Sequence, residues 1–159
     1  FNVIPDILIL AKGLGAGMPL GAFVSSPEIM SAFKSEPHLG HITTFGGHPV
    51  SCAAGLASLK ILLDTNIVDT VNTKEKLFRS LLVHPAIKSV RGMGLFLALE
   101  MDRNTHVKKI ISEAISRGVV LDGFLFCDHA IRITPPLIIT EKQITDAVTI
   151  IIDSIRESL

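Results

Sequence analysis

The feature that most constrains this chain is a five-residue apolar run, Ile7-Leu8-Ile9-Leu10-Ala11, which ends on Lys12 and passes straight into Gly13-Leu14-Gly15-Ala16-Gly17-Met18-Pro19-Leu20-Gly21. A short unbroken apolar run bounded by turn residues suits a strand covered on both faces, as in a parallel sheet. The glycines and proline that follow impose a loop. Open α/β sheets place their ligands beyond the carboxyl ends of strands, and Lys12 stands at such an end beside pliable backbone. A lysine desolvated there gives up part of its preference for the charged form, and its amine can then attack a carbonyl carbon to form a Schiff base. The residues leave open a second reading, a solvated lysine at a strand end.

Further along, the chain alternates between α and β grammar. Ala22-Phe23-Val24 reads as a short strand, and Ser26-Pro27-Glu28 supplies a cap, a proline and an early acid for a short helix. The stretch from His38 to Gly47 is turn-like. His48-Pro49 opens a longer helix through Leu63, whose Ala53, Ala54, Gly55, Ala57 and Ser58 would admit close approach of another element. Thr73 is expected to cap a half-buried helix carrying Leu77, Phe78, Leu81 and Leu82, closed by Pro85. Two strands are expected around Arg91-Gly92-Met93-Gly94 and a helix over 104–117 stopped by Gly118, followed by a strand at Val119-Val120-Leu121. Ala130-Ile131-Arg132-Ile133-Thr134 has the alternation of a strand, and Thr140 with Gln143 forms a capping box for a last helix.

Composition narrows the function classes. The 159 residues are 48% hydrophobic with no formal net charge, which opposes disorder and removes the basic excess that a nucleic-acid binder carries. No apolar run approaches the roughly 18–20 residues of a membrane span. Cys52 and Cys127 lie in unlike contexts, which points to reduced thiols and a cytoplasmic setting. The chain opens on Phe1, already close to a strand-like run, so it reads as a fragment whose preceding part is absent.

Other candidate residues are fewer. The glycine loop fails the dinucleotide fingerprint, having Met18 where the third glycine belongs, and fails the P-loop because Lys12 precedes the glycines. Thr43-Thr44-Phe45-Gly46-Gly47 sets two hydroxyls in flexible backbone ahead of a helix, a donor set suited to a phosphate dianion, although such stretches are also ordinary turns. Arg132, between Ile131 and Ile133, leaves the opposite face of its strand and could grip a carboxylate or simply face solvent. No metal site is expected: His38 and His41 lack partnering ligands. Cys127, Asp128 and His129 are read as background, because neighbours along a strand point to opposite faces.

Taken in order, these segments resemble one family. Pro5-Asp6-Ile7 through Lys12 to Ala22 is similar to the lysine segment of class III aminotransferases, which use pyridoxal phosphate (PLP). Thr43-Thr44-Phe45-Gly46-Gly47-His48-Pro49 resembles their phosphate loop. Arg91-Gly92-Met93-Gly94-Leu95 and Ile131-Arg132-Ile133-Thr134-Pro135-Pro136-Leu137 match two later landmarks. The subgroup most resembled is the acetylornithine and ornithine aminotransferases.

The resemblance implies an α/β chain of the PLP-dependent transferase fold type I. Residues 1–66 would be the end of the PLP-binding large domain with a linking helix, and 67–159 an α+β C-terminal small domain. It implies that Lys12 is the catalytic lysine holding the cofactor as a Schiff base, and that Thr43 and Thr44 contact its phosphate across a homodimer interface. Arg132 would bind the substrate α-carboxylate. The implied reaction moves an amino group from an ω-amino donor to a 2-oxo acid such as 2-oxoglutarate. A 4-aminobutyrate-type transaminase, an aminomutase of the same class and a non-catalytic module are the alternatives. His48 stands where relatives commonly have Asn. In the family the aspartate on the pyridine nitrogen, the ring-stacking aromatic and the first phosphate loop lie upstream of this stretch, so little turnover is expected from these residues alone.

Overall fold

The structure, a computed structural model, describes residues 2–103 and 105–159. They pack as two compact units, Phe1–Thr65 and Asn66–Leu159.

In the first unit the apolar run forms strand β1 (Ile7–Leu10), which pairs antiparallel with β2 (Ala22–Ser25) in a two-stranded ladder. The expectation of a parallel strand covered on both faces is corrected here. No further strand of the described unit joins the ladder, and Ile9 remains 77% exposed. Ser26 caps the short helix α1 (Pro27–Met30), its hydroxyl accepting from the Ile29 N–H at 3.4 Å. Helix α2 (Pro49–Asp64) begins with proline in its first turn, where a missing N–H costs nothing. Its small residues do admit a neighbour: a Cβ on Gly55 would lie 2.9 Å from the Leu14 carbonyl oxygen and 2.6 Å from Leu20 Cδ2. The helix therefore packs its backbone against the loop that follows Lys12.

The second unit is built on a four-stranded antiparallel sheet in the order β3-β4-β6-β5, comprising β3 (Ile87–Met93), β4 (Phe96–Met101), β5 (Asp122–Phe124) and β6 (Cys127–Ile133). Leu97 sits opposite Ile133 and Leu99 opposite Ile131, so alternate side chains enter one core. Helices α3 (Val71–Leu81), α4 (Val107–Ser116) and α5 (Glu141–Ser158) supply the rest through Phe78, Val107, Ile110, Ala114, Ile144, Val148, Ile151 and Ile155. The capping box at α5 is formed: the Gln143 N–H donates to Thr140 Oγ1 at 3.2 Å, and the Thr140 N–H donates to Gln143 Oε1 at 2.9 Å.

Three sequence expectations change in detail. Thr73 lies inside α3, and Thr70 occupies the cap position without a side-chain cap bond; the helix ends at Leu81, ahead of Pro85. The strand expected at Val119-Val120-Leu121 does not form there: the ladder begins directly after it, at Asp122, although Leu121 is buried. Gly118, at φ +92, stops α4 as expected, while Asn104, the expected start of that helix, lies outside the described residues.

The Arg91-Gly92-Met93-Gly94 segment has a steric cause. Gly92 is at φ +122, and a Cβ there would lie 2.1 Å from the Phe96 carbonyl oxygen. Helix α3 clamps this turn. Glu75 accepts from the Gly94 N–H at 2.6 Å and from Arg79 Nε at 2.8 Å, while Arg79 Nη2 donates to the Gly92 carbonyl at 2.9 Å and Nη1 to that of Val90. The Arg79 guanidinium, and then the Gly94 N–H, hold the Glu75 carboxyl below the usual carboxylate range despite the opposing effect of burial.

Candidate functional site

Lys12 opens a 3-10 turn (Lys12–Gly15) directly after β1. Its backbone is left-handed at φ 54, as is that of Ala16 at φ 49. For residues bearing a Cβ this conformation costs on the order of 1–2 kcal/mol, so the surrounding structure must impose it. It does so through a chain of turn bonds, Leu14 N–H to Ala11 O at 3.2 Å, Ala16 N–H to Gly13 O at 3.1 Å and Met18 N–H to Gly15 O at 2.9 Å, backed by the Gly55 contact from α2. The Lys12 amine makes no hydrogen bond or ion pair among the described residues. It is also exposed. The burial expected at this strand end is thus not supplied within the unit, because β1 itself is open to solvent.

Thr43 and Thr44 lie in the same unit, in a loop whose residues are all exposed. The Gly46 N–H donates to the Thr43 carbonyl at 3.3 Å and the His48 N–H to that of Phe45 at 3.2 Å, two tight turns in succession. A Cβ on Gly46 would sit 2.5 Å from Thr43 Oγ1, and Gly47 is at φ +69, so both glycines are required by the path of the backbone. Neither threonine hydroxyl has a side-chain partner among the described residues. Residues 38–48 contain no acidic side chain and three histidines. Hydroxyls, free amides and an absence of negative charge fit a phosphate group, and the unpaired amine of Lys12 fits an aldehyde. The residues present therefore suit pyridoxal phosphate.

His38 and His41 are exposed, the His41 ring lying tilted against that of Phe33 with 5.6 Å between centroids. Among the described residues no three of His, Cys, Asp or Glu are grouped to hold a metal ion.

Arg132 belongs to the second unit, on β6. Buried Ile131 and Ile133 flank it, and its own side chain leaves the opposite face as the alternation predicts. There it meets Asp122 of β5, the residue directly across the ladder, in an ion pair. Both residues line an open cavity of about 750 Å3, together with Phe78, Pro136, Gln143 and Ile151. Asp122 is a partner that sequence reasoning missed. The register between β5 and β6 shifts between Gly123 and Phe124, and no pattern in the sequence announces a bulge there.

Cys127 and His129 correct a second reading. Adjacent residues on a strand do diverge, but these two are spaced at the strand period and lie on one side. Cys127 Sγ is 3.6 Å from His129 Nε2, and His129 Nδ1 is 3.2 Å from Asp128 Oδ1. The spacing was the available signal. His129 is the main influence holding the Asp128 carboxyl below its usual range. Both cysteines are free thiols, and no helix among the described residues is long and apolar enough to cross a membrane.

Comparison with known proteins bears on the family and the fold. A family model described as aminotransferase class-III matches residues 1–155. Acetylornithine aminotransferase of Caldanaerobacter subterraneus subsp. tengcongensis is 36% identical over 99% of this chain and 39% of its own length. The Haemophilus ducreyi acetylornithine aminotransferase is 34% identical over 99% of this chain and 38% of its own. Among solved structures, an ornithine aminotransferase from Toxoplasma gondii, with partial PLP occupancy at its active site, superposes with a TM-score of 0.87. It is 32% identical and covers 99% of this chain and 38% of its own. The acetylornithine aminotransferase of Elizabethkingia anophelis gives 0.85 at 34% identity, over 98% of this chain and 40% of its own. The chain spans about two fifths of the length of the curated relatives it matches.

Proposed function

The chain belongs to the class-III aminotransferase family, and from that premise we propose that it carries the lysine, one phosphate-binding loop and the carboxylate-binding arginine of a PLP-dependent transaminase. The observation that carries this reading is Lys12 itself, an unpaired amine fixed in a left-handed turn between β1 and a glycine loop. The donor would be an ω-amino compound of the acetylornithine or ornithine kind, as the relatives are named, and the acceptor a 2-oxo acid such as 2-oxoglutarate. A homodimer with sites shared across its interface is part of the same proposal, as is a large-domain role for 1–66 and a small-domain role for 67–159.

When bound, pyridoxal phosphate supplies an aldehyde that condenses with amines and a pyridine ring that withdraws electrons from the substrate. The protein's own part falls to three groups. Lys12 Nζ holds the cofactor at rest and, once released, takes the proton from the amine-bearing carbon of the donor. Thr43 and Thr44 hold the phosphate through hydroxyls and backbone amides that have no competing side-chain partner. Arg132 orients the substrate by its carboxylate, since a guanidinium offers donors in a planar fork that matches two oxygens.

Borohydride reduction of the protein loaded with pyridoxal phosphate, followed by peptide mapping, tests the assignment. The pyridoxyl label is expected on the peptide containing Lys12, and Lys12→Ala should abolish it while leaving the unfolding midpoint within error. Label on another peptide overturns the assignment.

A further inference from the structure

Lys74 is half-buried on α3 and pairs with no carboxylate among the described residues. Its amine instead donates to the Leu137 carbonyl at 2.5 Å, across 63 positions of sequence. Leu137 belongs to the connection between β6 and α5, which leaves the sheet after Ile133. A bond from an ammonium to a carbonyl is charge-assisted, and so stronger than one between neutral groups. Among the described residues it is the one hydrogen bond that ties residues 135–139 to another element.

The connection has little else to fix its path. Pro135 and Pro136 have no N–H to donate, and the Ile139 N–H returns to the Pro136 carbonyl at 3.0 Å, a bond within the segment. Leu137 and Ile139 pack against the core, but apolar contact is non-directional and leaves the carbonyls free to turn. Lys74 supplies the direction. What it directs is a wall, since Pro135, Pro136 and Ile139 line the same open cavity of about 750 Å3 as Arg132.

The next residue on the helix does the same for a different loop. Glu75 accepts from the Gly94 N–H at 2.6 Å. Neighbours on a helix diverge by about 100°, so α3 grips the β6–α5 connection and the β3–β4 turn with consecutive side chains. Only the first of these two loops borders the cavity.

We propose that Lys74 is a positioning residue for ligand binding at Arg132. By fixing the Leu137 carbonyl it holds the Pro135–Pro136 wall against the stem of a ligand whose carboxylate sits on the guanidinium, and it acts through that wall. The inference rests on the reading of Arg132 as the carboxylate-binding residue.

The test is the rate at which phenylglyoxal modifies Arg132 in the full chain, read by peptide mass spectrometry, with butyrate and formate as protecting carboxylates. Butyrate carries an apolar stem to lie along the prolines, and formate carries none. Lys74→Met, with Lys74→Gln as a second neutral variant, should raise the butyrate concentration for half-protection about three- to tenfold, the range for a residue acting through an intervening element. The formate value should stay within about twofold, and Lys74→Arg, which keeps a charged donor, should restore the butyrate value. Glu75→Ala, which frees the other loop held by α3, should leave both values unchanged. An unchanged butyrate value in the folded neutral variants of Lys74, or an equal rise in Glu75→Ala, overturns the positioning role and leaves the reading of Arg132 standing. Protection of the wild type by neither carboxylate overturns both.

Discussion

Every buried hydrophobic side chain among the described residues, from Phe78 to Ile155, belongs to the second unit, whereas in the first only Gly15, Ser51 and Gly55 are buried. One region buries side chains and the other buries backbone. The second unit is held by the transfer of Leu, Ile, Val, Met and Phe side chains from water. The first is held in shape by turns, left-handed residues and a helix whose glycine allows it to lie on a carbonyl. The difference teaches where each is vulnerable: the second to atoms removed, the first to atoms added.

The largest effect that would break this contrast concerns truncation. Leu99→Ala, fully buried on β4, should cost about 2–5 kcal/mol in urea unfolding, the range for a core leucine whose site collapses only in part. Ile9→Ala on exposed β1 should stay within about 0.5 kcal/mol in the same chain. A comparable loss at Ile9 would mean that its surface is covered in solution.

Added atoms come next. Gly55→Ala should cost about 1–3 kcal/mol, as overpacking does, by driving α2 away from the Leu14 carbonyl. It should also raise amide exchange through residues 13–18 without altering exchange in the sheet of the second unit. A neutral Gly55→Ala would remove the close approach as the support of the Lys12 turn.

A smaller effect should follow from the clamp on the β3–β4 turn. Glu75→Ala removes the acceptor of the Gly94 N–H and of Arg79, a loss of about 1–2 kcal/mol, read as a lower urea midpoint with an unchanged slope.

Acid should sharpen the comparison most finely. Arg91 and then Ser89 hold the Glu100 carboxyl down from 4.5 to about 2, and Glu75 is likewise lowered. A carboxyl with a depressed folded value binds protons more readily when unfolded, so its contribution is complete above about pH 4.5 and is lost as pH falls toward 2. The midpoint of the second unit should decline across that window, and Glu75→Gln with Glu100→Gln should flatten the slope. An unchanged slope would show that these pairs do not couple to folding.

Much of this was legible without coordinates, and for local reasons. The capping box at Thr140, the glycine stop at Gly118 and the alternation around Arg132 are written in a few neighbouring residues, and each formed. What misled was context. The run Ile7–Leu10 has the composition of a covered strand, but what covers a strand is set by chain distant in sequence, and in the described unit nothing does. The cap expected at Thr73 falls one turn earlier, because Thr70 and Thr73 offer the same hydroxyl and neither side chain caps α3, so the local pattern does not distinguish them.

By itself the sequence determined which residues could carry chemistry: an amine after an apolar run, hydroxyls beside glycines, and a guanidinium on an alternating strand. These follow from residue type and spacing over a few positions. Only the tertiary structure decided that Lys12 takes a left-handed turn backed by Gly55, and that Asp122 stands across the ladder from Arg132. Both depend on the register and close approach of separate elements, which are settled by packing over the whole unit.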